Sequence, residues 1–366
     1  MRQQRKTPDF WLFIIAIILM CVGLLMVFSA SEYSTMIHFE DSYYYFKRQL
    51  IWALISLLCM RYVMNFDYWR YKRHVLLFLG LTFVLLLSVL LLGEEVNGAT
   101  RQISFGFISF TPSEFAKILL VIVIASSLAG QRERIKDFWR GVFPSVLLVG
   151  LAAGLILKQP DLGTAVSLVI ILFVMLFAAG ARARHLSLLV VTGVAAVYAA
   201  ITYEPYRMSR YLSYMDPWSD PLGDGFQTVQ SLYAIGSGGL FGLGLGQSKQ
   251  KLFYLPENHT DFIFAIVGEE LGFIGVAVVL SLFAALIWRG LKIAMNSPEP
   301  FAGLLACGIT AGIGVQVVIN IAMVVGLLPV TGIPLPFISF GGTSLVSTML
   351  GVGILLNISR YTTDKG

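Results

Sequence analysis

Ionisable residues appear in this chain where an apolar segment should not carry them. Glu114 and Lys117 open one long hydrophobic run, Lys158 and Asp161 separate two others, and Asp261, Glu269 and Glu270 open a further one. Charges at membrane depth are costly and default to functional roles. A carboxylate with low dielectric on one side has a raised pKa, which suits it to take a proton from a hydroxyl group. Asp261 is the foremost candidate for such a base, with Glu257 and His259 just before it. Glu269 follows two helical turns on, close to the same face by helical periodicity.

Each position also has a structural reading. Thr111-Pro-Ser-Glu114 fits a capping box with proline at the first helical position. Lys117 then pairs with Glu114 or snorkels outward. Lys158-Gln-Pro-Asp161 fits a hairpin turn in which Asp161 caps the next helix. Asp261 could cap its own helix, although Thr260 could do so without it. The glycine-rich stretch Gly236–Gly246 lacks the Gly-Lys-Ser/Thr ending and the preceding strand of a phosphate-binding loop, and reads as close backbone packing or a turn. Gly341-Gly342 after Pro334-Leu-Pro336 reads as a sharp re-entry loop. The four histidines, His38, His74, His185 and His259, are scattered, and no spacing suggests zinc ligation, a serine triad or a redox centre. Cys21, Cys59 and Cys307 lie singly in apolar runs and read as buried, unpaired thiols.

The elements that must position these side chains are membrane helices. The chain has 366 residues, 57% hydrophobic and 13% charged. A soluble domain carries roughly 25% charge, so this chain cannot clothe a water-facing surface, and lipid is its natural solvent. The net charge of +5 is spread along the sequence. It reads as a topology signal rather than as a nucleic-acid footprint. Apolar segments long enough to span run near 10–29, 49–64, 75–92, 112–130, 142–157, 162–180, 185–203, 262–288, 301–327 and 344–359. The fifth is short, and the eighth is long enough to tilt. The first reads as a retained helix rather than a cleaved signal peptide.

Lysine and arginine bias orients them. With the N-terminus inside, the inner connections carry Arg61, Arg70, Lys72 and Arg73; Arg132, Arg134, Lys136 and Arg140; Arg182 and Arg184; Arg289 and Lys292; and finally Arg360 and Lys365. The outer side receives fewer, among them Lys47, Arg48, Arg101, Lys158, Arg207 and Arg210. The fold class is therefore an all-α integral membrane protein: ten transmembrane helices in one polytopic domain over residues 1–366, with both termini cytoplasmic. A large extracellular loop, 204–261, joins helices 7 and 8. It contains a helical pattern around Phe226–Ile235 and is too aromatic for disorder. Residues 93–111 read as a loop ending in a helix start.

The long outer segment carries a resemblance. Asp216-Pro-Trp-Ser-Asp-Pro221, Gly225-Phe-Gln-Thr-Val-Gln-Ser231, Ala234-Ile-Gly-Ser-Gly-Gly239 and Leu255-Pro-Glu-Asn-His-Thr-Asp-Phe-Ile-Phe264 are similar to the SEDS family (shape, elongation, division and sporulation). So are Asn97-Gly-Ala99, Pro112-Ser-Glu-Phe-Ala-Lys117, Gln159-Pro-Asp-Leu-Gly-Thr164 and Pro334-Leu-Pro-Phe-Ile-Ser-Phe-Gly-Gly342. The likeness covers essentially the whole chain, and its wording is nearer the FtsW/SpoVE branch than RodA. The short tail beyond Tyr361 leans towards the sporulation type. The resemblance implies a peptidoglycan glycosyltransferase that polymerises lipid II at the outer face of the bacterial plasma membrane, alongside a class B penicillin-binding protein. It also implies that Asp261, in the Thr-Asp-Phe motif, is the catalytic carboxylate. Many members have tryptophan where this chain has Gln102, which is accordingly left out of the site.

The implied chemistry is attack of a sugar hydroxyl on an anomeric carbon, with a lipid pyrophosphate as leaving group. It needs a base and cations. Asp261 is the expected base. Arg101, Lys117, Lys158, Arg207 and Arg210 are the cation candidates, and Glu114, Asp161, Glu257 and His259 complete the expected substrate site. A divalent cation, Mg²⁺ or Mn²⁺, could bridge the pyrophosphate, but no ligand cluster argues for a dedicated protein site. The rival functions are a lipid II flippase and a non-catalytic scaffold for a penicillin-binding protein. A dry inner half counts against the first, and the clustered outer carboxylates count against the second.

Overall fold

The computed structural model describes residues 6–96, 99–105, 108–130 and 134–362. Asn97, Gly98, Arg132 and Lys365, used above as motif or topology markers, lie outside them. Every apolar segment of the sequence is helical: α1 (Phe10–Phe39), α2 (Tyr44–Met64), α4 (Val75–Leu92), α5 (Pro112–Gly130), α6 (Phe143–Leu157), α7 (Leu162–Ala178), α8 (Ala183–Thr202), α11 (Ile263–Met295), α12 (Pro300–Val324) and α13 (Gly342–Ser359). Short helices α3 (Trp69–Arg73), α9 (Pro205–Met215) and α10 (Phe226–Gly238) connect them, and a π-helical turn, Phe138–Val142, leads into α6. Eight helices, counting Phe138–Leu157 as one, are long and apolar enough to cross a membrane. Among the described residues, length and composition alone thus mark eight of the expected ten. Helix α7 is apolar but has only 17 residues, and α2 carries Lys47, Arg48 and Arg61.

Burial separates centre from rim. The apolar window of α13 is 89% buried, whereas that of α8 is 11% buried. Helix α13 is rich in Gly, Ser and Thr and runs closely along α2, so that a Cβ at Gly353 would sit 2.9 Å from the Met60 carbonyl oxygen. Small residues that let backbones approach are the usual seam between membrane helices, where dispersion replaces the hydrophobic effect. Helix α8 buries only His185 and Leu186, both at its start. Of the cysteines, Cys307 is buried, Cys59 is partly so and Cys21 is exposed on α1; all three are free.

Three features depart from the sequence reading. Residues 94–110 are not a plain loop: β1 (Glu94–Val96), β2 (Ala99–Phe105) and β3 (Ile108–Phe110) form an antiparallel sheet in that order. Helices α1 and α2 extend well beyond the apolar cores that marked them. The long helix α11 is broken rather than simply tilted, because Gly272 takes φ +64° and ψ −167°.

The break explains the glycine-rich stretch. A Cβ at Gly272 would meet the Gly242 nitrogen at 2.2 Å. Leu243 and Gly244 donate their N–H groups to the Glu269 and Glu270 carbonyls at 2.9 and 3.0 Å. Phe273 and Ile274 in turn donate to Gly239 and Leu240 at 2.9 and 3.2 Å. Backbone groups freed inside an apolar bundle must be paired within the protein, and the glycines let the chain come close enough to do so. The two acidic side chains serve the same joint. Glu269 accepts from Lys249 N at 3.0 Å and from Ser248 Oγ. Glu270 accepts from Ser29 Oγ at 2.6 Å and pairs with Lys251 at 3.7 Å. Glu269 therefore does not share a face with Asp261 in the site; both glutamates lock the outer loop to α1 and α11.

Candidate active site

A polar cavity of about 600 Å³ opens among α2, β2, the start of α5, the α6–α7 turn, α9 and the segments before α11 and α13. Asp261 lines it. The residue precedes α11, whose N-cap is Phe262, and no side chain caps that helix. The cap reading of Asp261 therefore fails. Its backbone oxygen accepts from Asn320 Nδ2 at 2.8 Å, and the same amide group donates to Ile333 O at 2.8 Å. Asn320 is fully buried and pins Asp261 to the 330–341 segment. Ser339 Oγ adds a second pin, donating to Thr260 O at 2.7 Å.

Arg101 approaches from β2. Its Nε lies 3.6 Å from Asp161 Oδ2, and Nη1 donates to Gly332 O at 3.4 Å. Gly332 has φ +72°, and a Cβ there would lie 2.5 Å from Arg101 Nη1 and 3.6 Å from Asp261 Oδ2. The glycine lets the guanidinium and the carboxylate lie side by side. Arg210 enters from α9, donates to Val330 O at 3.4 Å and also lines the cavity. Desolvation and the neighbouring Arg101 hold its guanidinium below the ordinary value, while Asp261 acts in the opposite sense.

Burial pushes the Asp261 carboxyl up to about 6, and nearby Glu257 and Asp161 add to this against Arg101 and Arg210. A carboxylate poised there can accept a proton near neutral pH while still being mostly ionised. Desolvation holds His259 below its usual value, with Glu257 opposing. The imidazole stacks on Tyr45 with 4.5 Å between centroids. Glu257, in a left-handed conformation at φ +54°, accepts from Thr260 Oγ1 at 2.6 Å.

The other expected residues divide. Asp161 does cap α7, accepting from Thr164 N at 3.0 Å and Oγ1 at 2.8 Å, and it lines the cavity as well. Glu114 lines the cavity and pairs with Lys117 at 2.8 Å. It does not reach back to Thr111, whose N–H goes instead to Thr343 Oγ1 at 3.3 Å. Three of the expected cations, Lys117, Lys158 and Arg207, do not line the cavity. Lys158 is exposed at the end of α6 and does not line the cavity. Arg207 is spent on helix ends, donating to Ala200 O at 3.1 Å and Leu157 O at 3.4 Å. Free C-terminal carbonyls attract such a cation.

Conversely, Gln102 lines the cavity, as do Tyr45, Arg48 and Trp52, which the sequence reading did not place in the site. The helix containing the last three starts five residues before the apolar run that marked it, which hid their common face.

Fold and site together define a multi-pass membrane protein with a half-buried aspartate beside a pair of arginines. The family model described as "Cell cycle protein", covering FtsW, RodA and SpoVE, matches residues 10–364. The chain is 46% identical to Stage V sporulation protein E of Bacillus subtilis (strain 168), over 99% of this chain and 100% of that protein. It is 42% identical to the probable peptidoglycan glycosyltransferase FtsW of Geobacter sp. (strain M18), over 96% of each. Among solved structures, a chain from a study of polymerisation and crosslinking by a peptidoglycan synthase complex superposes with TM-score 0.81 at 32% identity, covering 96% of this chain and 98% of that one. The Rod shape determining protein RodA of Thermus thermophilus gives 0.73 at 29% identity, covering 98% of each. The chain belongs to the FtsW/RodA/SpoVE family.

Proposed function

We propose that the protein is a peptidoglycan glycosyltransferase that polymerises lipid II into glycan strands, serving cell division or sporulation. The observation that carries this reading is Asp261: a half-buried carboxylate with a raised pKa, fixed through its backbone by Asn320, beside Arg101 and within a cavity that Arg210 also lines. Asp261 takes the proton from the attacking sugar hydroxyl as that oxygen bonds to the anomeric carbon of the second substrate. The bond from that carbon to the lipid pyrophosphate breaks, and the departing charge falls to Arg101 and Arg210. Glu114, paired with Lys117, adds a further carboxylate to the cavity wall. The described residues offer no group of three His, Cys, Asp or Glu side chains that could hold a metal ion. A Mg²⁺ or Mn²⁺ ion therefore enters this reading only as a companion of the pyrophosphate.

A class B penicillin-binding protein is the proposed partner; the likeness to a chain of a peptidoglycan synthase complex supports it. The proposed location is the bacterial plasma membrane with both termini cytoplasmic, on the charge bias of the loops. The test is direct. Purified protein with its partner should convert lipid II to glycan polymer with moenomycin present to silence conventional transglycosylases. Transport of lipid II without polymer would favour a flippase, and neither activity would favour a scaffold.

A further inference from the structure

The α2 wall of the cavity has no part in the reaction as described. Tyr45, Arg48 and Trp52 follow i, i+3, i+7 spacing, which places them on one helical face, and all three line the cavity. Tyr45 joins that face to the catalytic loop, stacking on His259 two residues before Asp261 and packing on Phe340 at 4.8 Å. The Trp52 indole lies against the backbone of Gly342, where an added Cβ would meet the ring at 2.2 Å. Arg48 donates to Tyr44 Oη at 3.0 Å and lies 5.4 Å from that ring, and neither contact is with a carboxylate.

Glycosyl transfer between two lipid-linked sugars requires both to be bound at once. Each carries a pyrophosphate and a pyranose ring. Arg101 and Arg210, gathered at Asp261, form one cationic pole. It belongs to the donor, because negative charge develops on the leaving pyrophosphate. The acceptor needs its own cation and its own surface for a sugar. An arginine without a carboxylate partner presents the fork that phosphate oxygens fit. An indole offers a flat apolar face to the C–H side of a pyranose.

Resting on the function proposed above, we propose that Arg48 and Trp52 form a separate acceptor subsite, in which Arg48 takes a prenyl diphosphate and Trp52 stacks on the attached sugar. The acceptor hydroxyl is thereby presented to Asp261 from the α2 side. Tyr45 acts as a positioning residue that holds this wall in register with the loop.

Binding stoichiometry tests it. The full-length Asp261→Asn protein, which should bind without turning over, is titrated with a short-chain prenyl-diphosphate disaccharide and examined by native mass spectrometry. Two ligands should bind per chain. Arg48→Ala/Trp52→Ala in that background should bind one, and Arg210→Ala should remove the other. Trp52→Phe should keep two. In the active enzyme, Arg48→Gln alone should raise the half-saturating substrate concentration by roughly tenfold or more, the scale of a lost charged contact, with an unchanged melting temperature. Two ligands on the double variant would overturn the inference, and so would a single ligand on the saturated parent. Failure of the parent to bind any ligand would instead sink the glycosyltransferase reading itself.

Discussion

Replacing Asp261 with asparagine separates a catalytic from a structural role, because the two move stability in opposite directions. A carboxyl that titrates near 6 in the folded protein and near 4 in an unfolded chain is held ionised at neutral pH against its environment. The sign follows from linkage. Between those values the folded state binds the extra proton, so stability falls as pH rises from about 4 to about 6 and stays lowered above it. The full difference corresponds to about 3 kcal/mol; because the group faces an open cavity, screening reduces this to about 1–2 kcal/mol. Asp261→Asn removes that penalty and sacrifices no helix cap, since α11 has no side-chain cap to lose. At pH 7.5 the variant should therefore melt a few degrees above the parent, while polymerisation falls by about 10²–10⁴, the usual value of a general base. Thermal unfolding in detergent and a lipid II polymerisation assay read the two quantities on one preparation. Near-normal polymer from a folded variant would refute the base assignment. A lower melting temperature would refute the desolvation argument.

Three further outcomes follow from the same geometry. Polymerisation by the wild type should rise with pH through about 6, falling roughly tenfold per pH unit below it, as Asp261 must be ionised to accept a proton; a flat profile between pH 5 and 7 would contradict this. Charge reversal of Glu114 or Lys117 alone breaks an ion pair that is 2.8 Å long and nearly buried, at a cost of about 3–5 kcal/mol. The double swap should recover much of the lost activity, and a loss equal to the sum of the single losses would show that they do not act as a pair. Single cysteines at the exposed positions Ser219 and Lys249 should react with an impermeant thiol reagent on intact cells, and one at Arg134 should not; labelling at Arg134 would reverse the orientation.

The helices were legible because lipid imposes a length and a composition on them. Their breaks were less so. Gly272 is one glycine among 35, and only the partner segment at Gly242 makes its positive φ necessary. The sheet at 94–110 escaped notice because its strands are short and lie outside the apolar runs that organise the reading. Helix starts were misplaced wherever aromatic and charged residues at the interface extend a helix beyond its apolar core, as at Tyr44–Arg48. That single boundary concealed an entire wall of the cavity.

Within the site, residue type was a better guide than residue partner. Asp261, Asp161 and Glu114 were found from their cost in an apolar chain and Arg101 as a cation the implied chemistry needs, and the cavity gathers all four. The same two criteria selected Glu269 and Glu270, by cost, and Arg207, as a cation, whose charges are consumed by a broken helix and by helix ends. Cost alone cannot separate these groups, since a membrane protein must offset the burial of both. Arg101 and Asp261 differ from Glu269 in how completely their hydrogen bonds are met. Glu269 collects a hydroxyl and a backbone N–H from the loop it holds in place. Arg101 keeps a buried Nε without a hydrogen-bond partner among the described residues, and the Asp261 carboxyl caps no helix. Buried polar groups left unmet are expensive, and in this cavity they face the space where a substrate's hydroxyl and pyrophosphate would meet them.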